Sequence, residues 1–264
     1  MNWMIQDVIR AMEELAPPDL AQEWDNIGLL LGRHQAPVAK ILIALDATAA
    51  VVEEAMELEA ELIITHHPLT MSGMKRINDS NPLGRRVMRL LENKIALYCA
   101  HTNLDAAKGG INDILFERLG LNHMGFFAKA ANGAAFGRIG LLEKEMTLAD
   151  FANFVKNCLG LTHISFCGEI DTPIHKVAVS SGSSASPDYF REIRSLNVDV
   201  FVTADIKFHA AQEALDLGLA LIDATHYASE AIFADPLKAY LSEKLPNLEI
   251  YVSKEDGQVF KRVI

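Results

Sequence analysis

Apolar positions along this chain fall into two rhythms. Short runs that are apolar almost throughout, Ile41–Leu45, Leu62–Thr65, Ile95–Ala100, Val177–Ser180, Val198–Thr203 and Leu219–Asp223, have the length and β-branched content of strands. Between them apolar residues recur every three or four positions, which predicts helices over 49–60, 83–93, 110–119, 147–158, 186–196, 206–217 and 229–243. The opening segment MNWMIQDVIRAMEELAPP reads as an amphipathic helix closed by two prolines. A strand with no polar face must be covered on both sides, so the pattern predicts an α/β fold with largely parallel sheet.

The pattern also hints at duplication. KILIALDATAA, LIITHHPL and ALYCAHTNLD occur in that order in the first half, and KVAVSSGSSAS, VFVTADIKFH and ALIDATHYASE in the second. Each half runs strand, turn, helix three times, although alternating βαβ units resemble one another by construction. Asn122–Gly137, rich in Gly and Ala, reads as the connection. The expected organisation is therefore 1–126 and 127–264, two similar βαβ-type halves with mostly parallel sheets facing a shared site.

Chemistry-bearing residues gather at the ends of these strands, where open α/β sheets bind ligands. The first set is His66 and His67; then come His101 and Asp105, and finally His226 and Glu230. His66, His67, Asp105, His226 and Glu230 would supply three neutral nitrogens and two anionic oxygens. That mixture suits zinc, iron or manganese better than calcium or magnesium, which favour oxygen alone. Side chains alternate along extended chain, so His66 and His67 are expected on opposite sides and at two different metals. Pro68 supports this by disfavouring a helical conformation at His67. A carboxylate at Asp105 can bridge two cations, and His226 and Glu230, four apart, share a face of any helix that begins near 226. Each element alone is a weak signal, and a core or surface histidine network competes with the metal reading; their joint occurrence at strand ends favours metal.

Composition narrows the partners. The 264 residues are 50% hydrophobic and 22% charged, as in ordinary globular chains. A formal charge of −11 argues against wholesale nucleic-acid binding. Lys75, Arg76, Arg85, Arg86 and Arg89 form a basic stretch that reads first as a solvated helix face. No apolar run reaches membrane-spanning length, the start lacks the form of a secretory signal, and Cys99, Cys158 and Cys167 show no CxxC spacing. A cytoplasmic protein with no membrane partner is the expectation. Walker, GxGxxG and GxSxG motifs are absent, which weakens kinase, dehydrogenase and serine-hydrolase alternatives.

ITHHPL, AHTNLD with the following GGIND, HYASE, and Trp24-Asp25-Asn26-Ile27-Gly28-Leu29 followed by Leu31-Gly32 together resemble the GTP cyclohydrolase 1 type 2 homologues, the Nif-three-like proteins. The resemblance covers nearly the whole chain and looks like the short form, without the inserted middle domain of longer members. It implies metal ligands at His66, His67, Asp105, His226 and Glu230, two divalent ions per chain, two similar α/β halves, and a homohexamer built as a trimer of dimers. His101 is implied to sit near the metals. Two departures bear on pocket shape: Thr225 stands where the family usually has Gly before the third histidine ligand, and Ala204-Asp205 where it usually has Gly-Glu.

The expected function is a dinuclear metal-dependent hydrolase of a nucleotide-like or other phosphorylated small molecule, with a metal-bridging hydroxide as nucleophile and His101 as the candidate for proton transfer. Two divalent ions exceed the charge of two carboxylates, which would attract an anionic substrate despite the acidic surface. SGSSAS after the Val177–Ser180 run can cradle a phosphate, though a plain helix cap is the simpler reading. Cyclohydrolase activity rests on the family label alone, since nothing in the sequence marks a guanine pocket. The alternative is a non-catalytic metal-binding ring protein serving as regulator, scaffold or metal-delivery factor, with nine Met available to cover subunit contacts.

Overall fold

The runs at 41–45, 62–65 and 95–100 become three adjacent parallel strands, Lys40–Ala44, Leu62–Thr65 and Ala96–Cys99, in a computed structural model that describes residues 3–261. Every residue of the latter two strands is buried, as apolar runs without a polar face require. Glu249–Val252 adds a parallel strand beside Lys40–Ala44, and Gly28–Leu31 an antiparallel one beside Ala96–Cys99. Helices Ala49–Glu57 and Pro82–Glu92 bury Val51, Val52 and Leu90 with Leu42, Ile63 and Leu97 of the sheet. Their starts follow from sequence: Thr48 and Asn81 accept hydrogen bonds from Val51 N and Gly84 N, and Pro82 occupies the first turn. The amphipathic helix forms over Ile5–Leu15 with Ile5, Val8, Ile9 and Met12 buried, preceded by Trp3–Met4 paired with Pro37–Val38; residues 1 and 2 of that segment lie outside the described residues.

A second sheet carries Pro173–Val179, Val200–Thr203 and Ala220–Asp223, again adjacent and parallel. It is extended by antiparallel strands: Ser165–Cys167 beside Ala220–Asp223, and Ala135–Thr147 then Asn122–Lys129 beyond Pro173–Val179. The fold is α/β, as expected, but this sheet is mixed. Asn122–Gly137 is not a connection, as its composition suggested, but most of a hairpin. Two glycines of the strand Ala135–Thr147 serve packing: a Cβ on Gly137 would lie 2.0 Å from the Phe127 ring, and one on Gly140 2.4 Å from Phe116.

Chain packing separates two compact units, one running to Ala107 and resuming at Phe233, the other Lys108–Ile232. The division falls elsewhere than at residue 126, because Glu249–Val252 returns to the first sheet and Asn122–Lys129 pairs within the second. The segment predicted as one helix at 229–243 is three pieces, His226–Glu230, a 3-10 turn Ala231–Phe233, and Ala234–Lys244. Within the basic stretch, Arg85 donates to Asp79 O at 2.8 Å, Arg86 to Ala47 O at 2.7 Å, and Arg89 to the Glu53 carboxylate at 2.6 Å, so these cations serve local structure. No helix among the described residues is long and apolar enough to cross a membrane.

Candidate metal centre

Each unit gathers part of the expected ligand set. In the first, the ladder continues past the strand ends: Ala100 N donates to Thr65 O and His67 N to Leu45 O, both at 3.0 Å. The chain then bends at residues 66 and 67, so the alternation that predicted opposite sides fails here. The two imidazoles lie 5.0 Å apart, and His101, from the end of the neighbouring strand, lies 5.1 Å from His66 and 5.7 Å from His67. One possible ligand atom from each of the three falls within 4.8 Å of the others. Asp105, in the first turn of Thr102–Ala106, brings Oδ1 to 3.7 Å from His66 Nε2.

Each ring is keyed from behind. His66 Nδ1 donates to Ala100 O at 3.0 Å; a carbonyl only accepts, so the ring's lone pair is at Nε2. His67 Nδ1 meets Asp46 Oδ1 at 3.0 Å and His101 Nδ1 meets Asp25 Oδ1 at 2.8 Å. Such partners fix tautomer and orientation of metal-binding imidazoles. The Asp25 side chain has no exposed surface and also accepts from Thr102 N and Thr102 Oγ1. Burial alone would raise its pKa, but the hydrogen bonds from His101 and Thr102 prevail and hold it at about 2. Exposed Trp24 stands edge-on to His101 at 6.0 Å. Cys99 is no competing ligand: burial pushes its thiol well up, and Sγ donates to His66 O.

In the second unit the helix does begin at His226, and the four-residue spacing brings His226 Nε2 to 2.9 Å from Glu230 Oε2. His226 Nδ1 meets Asp205 Oδ2 at 2.7 Å, so the shorter acid of the Ala204-Asp205 departure still reaches the ring. The hydrogen bond to Glu230, against the opposing effect of burial and with Asp205 adding, raises His226 to about 9 in the metal-free chain. Thr225 caps this helix at φ 60°, a backbone position that costs a β-branched residue about 1–3 kcal/mol and that Gly would adopt without strain. Gly182, at φ +59°, passes directly under the pair: a Cβ there would sit 2.0 Å from Glu230 Oε1 and 3.6 Å from His226 Nε2. Gly182→Ala should keep the fold, displace the Glu230 carboxylate and weaken metal binding about 10- to 100-fold, read by chelator competition.

Other motif residues prove structural. Asn112 bridges Phe136 O and Ser181 N, and Asp113 pairs with the buried Arg138 guanidinium. Within SGSSAS, Ser186 caps Pro187–Ser195 and Ser184 Oγ donates to Ser181 O, so the simpler reading of that loop describes these serines. The residues that sequence reasoning gave no role are the acids behind the rings, Asp25, Asp46 and Asp205. Asp46 and Asp205 follow strands Lys40–Ala44 and Val200–Thr203, so the strand-end rule applied to acids as well as histidines would have found them.

The donor chemistry fits a transition metal: keyed imidazoles beside carboxylates, with no thiolate. Metal taken up at His226 must displace its proton. Uptake at pH 7.5 should therefore release a proton from this residue, and apparent affinity should climb about tenfold per pH unit until about pH 9, then level off; calorimetry in buffers of different ionisation enthalpy would detect this.

Comparison with known proteins finds relatives across nearly the whole chain. The sequence profile of Duf34/NIF3 (NGG1p interacting factor 3) matches residues 3–258. A Clostridium perfringens protein called GTP cyclohydrolase 1 type 2 homolog is 36% identical over 260 residues, covering 97% of this chain and 98% of its own. The crystal structure of a Bacillus cereus protein related to NIF3 superposes with TM-score 0.88 at 27% identity, over 100% of both chains. Reduced HcgD from Methanocaldococcus jannaschii superposes at 0.83 with 32% identity, over 97% of this chain and 99% of that one.

Proposed function

The chain belongs to the Duf34/NIF3 family, and on that premise we propose that it is a dinuclear metal-dependent hydrolase of a nucleotide-like or other phosphorylated small molecule. The proposed ligands are His66, His67, Asp105, His226 and Glu230, for two ions of zinc, iron or manganese. The observation that carries the reading is the keying of the imidazoles: His66, His67 and His226 each have Nδ1 held by a carbonyl or carboxylate, and carboxylates stand beside His66 and His226. A histidine network serving only packing has no need of this repeated arrangement. Bound divalent ions would supply Lewis acidity, lowering the pKa of water and offsetting charge on a phosphorylated substrate.

The chain's own residues do the positioning. Asp46 and Asp205 stop His67 and His226 from rotating, and the backbone of Gly182 leaves room for the Glu230 carboxylate. Buried Glu230 can hold its anionic form only opposite a cation, which in the metal-free chain is protonated His226. Self-association as a homohexamer and a cytoplasmic setting belong to the same proposal. Exposed Met124 and Phe126 on the edge strand Asn122–Lys129 support the former, since such an edge invites a partner.

The test is turnover. Metal-reconstituted protein is screened against phosphorylated small molecules, GTP among them, beside chelator-treated protein. Hydrolysis that appears only with metal supports the proposal. GTP left intact while another phosphate ester turns over removes only the cyclohydrolase version. Tight metal binding with no hydrolysis of any class favours the metal-binding ring protein instead.

A further inference from the structure

Trp24 leaves 59% of its surface in water although it stands edge-on to His101, with ring centroids 6.0 Å apart and planes at 71°. We infer that this indole is the stacking surface for a planar heteroaromatic ring, and that the phosphorylated substrate is therefore a nucleotide, not a sugar phosphate or another ester without a base. This choice within the substrate class rests on the hydrolase reading above and names the residue that makes it.

Single exposed apolar side chains are common and by themselves mean nothing. Trp24 differs in how it is held. It is the third residue of a turn closed by Asp25 N, which donates to Gln22 O at 3.0 Å. Both ends of that turn are fastened to the start of Thr102–Ala106. Gln22 N donates to Thr102 Oγ1 at 3.0 Å, and the Asp25 carboxylate accepts from Thr102 N at 3.0 Å and from Thr102 Oγ1. Asn26, the next residue but one, donates through Nδ2 to Thr70 O at 2.7 Å. The backbone that carries the indole is thus fixed before a ligand arrives, so stacking there orders little of the chain.

The indole is also unused. Trp3, the other tryptophan, donates its ring N–H to Pro246 O at 3.1 Å. Trp24 Nε1 has no acceptor among the described residues, and the perpendicular contact with His101 is its one ring contact there. Aromatic rings stack offset with centroids about 4.5–7 Å apart, and every nucleobase has a π-face to offer. A base on Trp24 would lie beside the corner formed by His66, His67 and His101, with the indole N–H free to donate to a sugar or phosphate oxygen. A sugar phosphate gains no stacking from such a surface, which makes Trp24 a determinant of specificity.

The experiment uses full-length zinc-reconstituted protein, titrated with the four ribonucleoside monophosphates and with ribose 5-phosphate. In a Trp3→Phe chain Trp24 is the sole tryptophan, and its emission should be quenched by a nucleotide and not by ribose 5-phosphate. By calorimetry Trp24→Ala should lose about 5- to 150-fold in nucleotide affinity, the range that stacking of one base represents, while Trp24→Phe retains most of it. Affinity for ribose 5-phosphate, zinc content and, by light scattering, oligomeric state should not change. Nucleotides that bind no tighter than ribose 5-phosphate, or that bind wild type and folded Trp24→Ala equally, overturn the inference and leave the hydrolase reading in place. So does a Trp24→Ala chain of altered oligomeric state with intact nucleotide affinity, which would make the indole a subunit contact. Should Trp24→Ala fail to fold, the quench decides. No affinity for any of the five phosphates, with or without zinc bound, removes the phosphorylated-substrate reading and this one with it.

Discussion

Glu230→Gln should leave the chain folded while lowering metal-dependent turnover at least about 100-fold. Glutamine matches glutamate in volume and fits over Gly182, where a larger group would not, so the buried position tolerates it sterically. What is lost is charge: a neutral amide oxygen is a far poorer donor to a divalent ion, and the outer partner Asp205 cannot compensate. A second signature needs no substrate. The hydrogen bond to Glu230 is the largest cause of the raised His226 pKa, so nuclear magnetic resonance on the metal-free variant should show it falling from about 9 toward the ordinary range. The sign for stability follows. A raised histidine pKa stabilises fully below the unfolded value of about 6.5 and loses this as pH rises through about 9. Wild type should therefore exceed the variant in stability at pH 6 and approach it above pH 9. Full turnover with an unmoved His226 pKa would contradict the assignment of Glu230.

Asp25→Ala should destabilise the chain by about 3–5 kcal/mol, the usual cost of removing one partner from a buried charged network. Three donors lose their acceptor together: His101 Nδ1, Thr102 N and Thr102 Oγ1. Thr102 N begins the short helix that carries Asp105, so the loss reaches a proposed ligand through backbone. Because hydrogen bonds hold Asp25 at about 2 despite its burial, its contribution is present above about pH 3.8 and disappears as pH falls through about 2. Urea unfolding of wild type and variant should differ most near neutral pH and converge in strong acid. A difference under about 1 kcal/mol at pH 7 would mean that the carboxylate does not hold this corner together.

What could be read from sequence was whatever a local pattern encodes. The apolar runs ending in His66, in Ala100 before His101, and in Asp223 before His226 carry their strand assignment and their ligands together, so the candidate residues were visible without a fold. Three kinds of feature were not. Glu249–Val252 pairs with Lys40–Ala44 far back along the chain, and no periodicity reports a partner at that distance. The Gly- and Ala-rich segment looked like a linker, yet its Gly137 answers to the Phe127 ring, which leaves no room for a Cβ there, a tertiary cause that composition does not report. The relation of His66 to His67 was misread because period-two alternation holds only while the chain stays extended, and it bends just there. Of the acids behind the imidazoles, Asp25 was invisible for the first of these reasons, being 76 positions from His101, whereas Asp46 and Asp205 stand just past strand ends and were open to the same rule as the histidines. Thr225 shows the opposite case, in which a departure from the family pattern pointed to a real backbone constraint, the positive φ before His226.

The central claim is that these residues hold metal, and the most direct test is metal content by elemental mass spectrometry on untagged protein beside Asp105→Ala. Asp105 stands 3.7 Å from His66 Nε2, while His66 is held from behind by its Nδ1 bond to Ala100 O, so removing the carboxylate should subtract a ligand and leave that hold in place. The account predicts about two transition-metal ions per chain, falling sharply in the variant. Little metal in either protein, with none taken up on reconstitution, would mean that the keyed histidines are structural and would contradict the account.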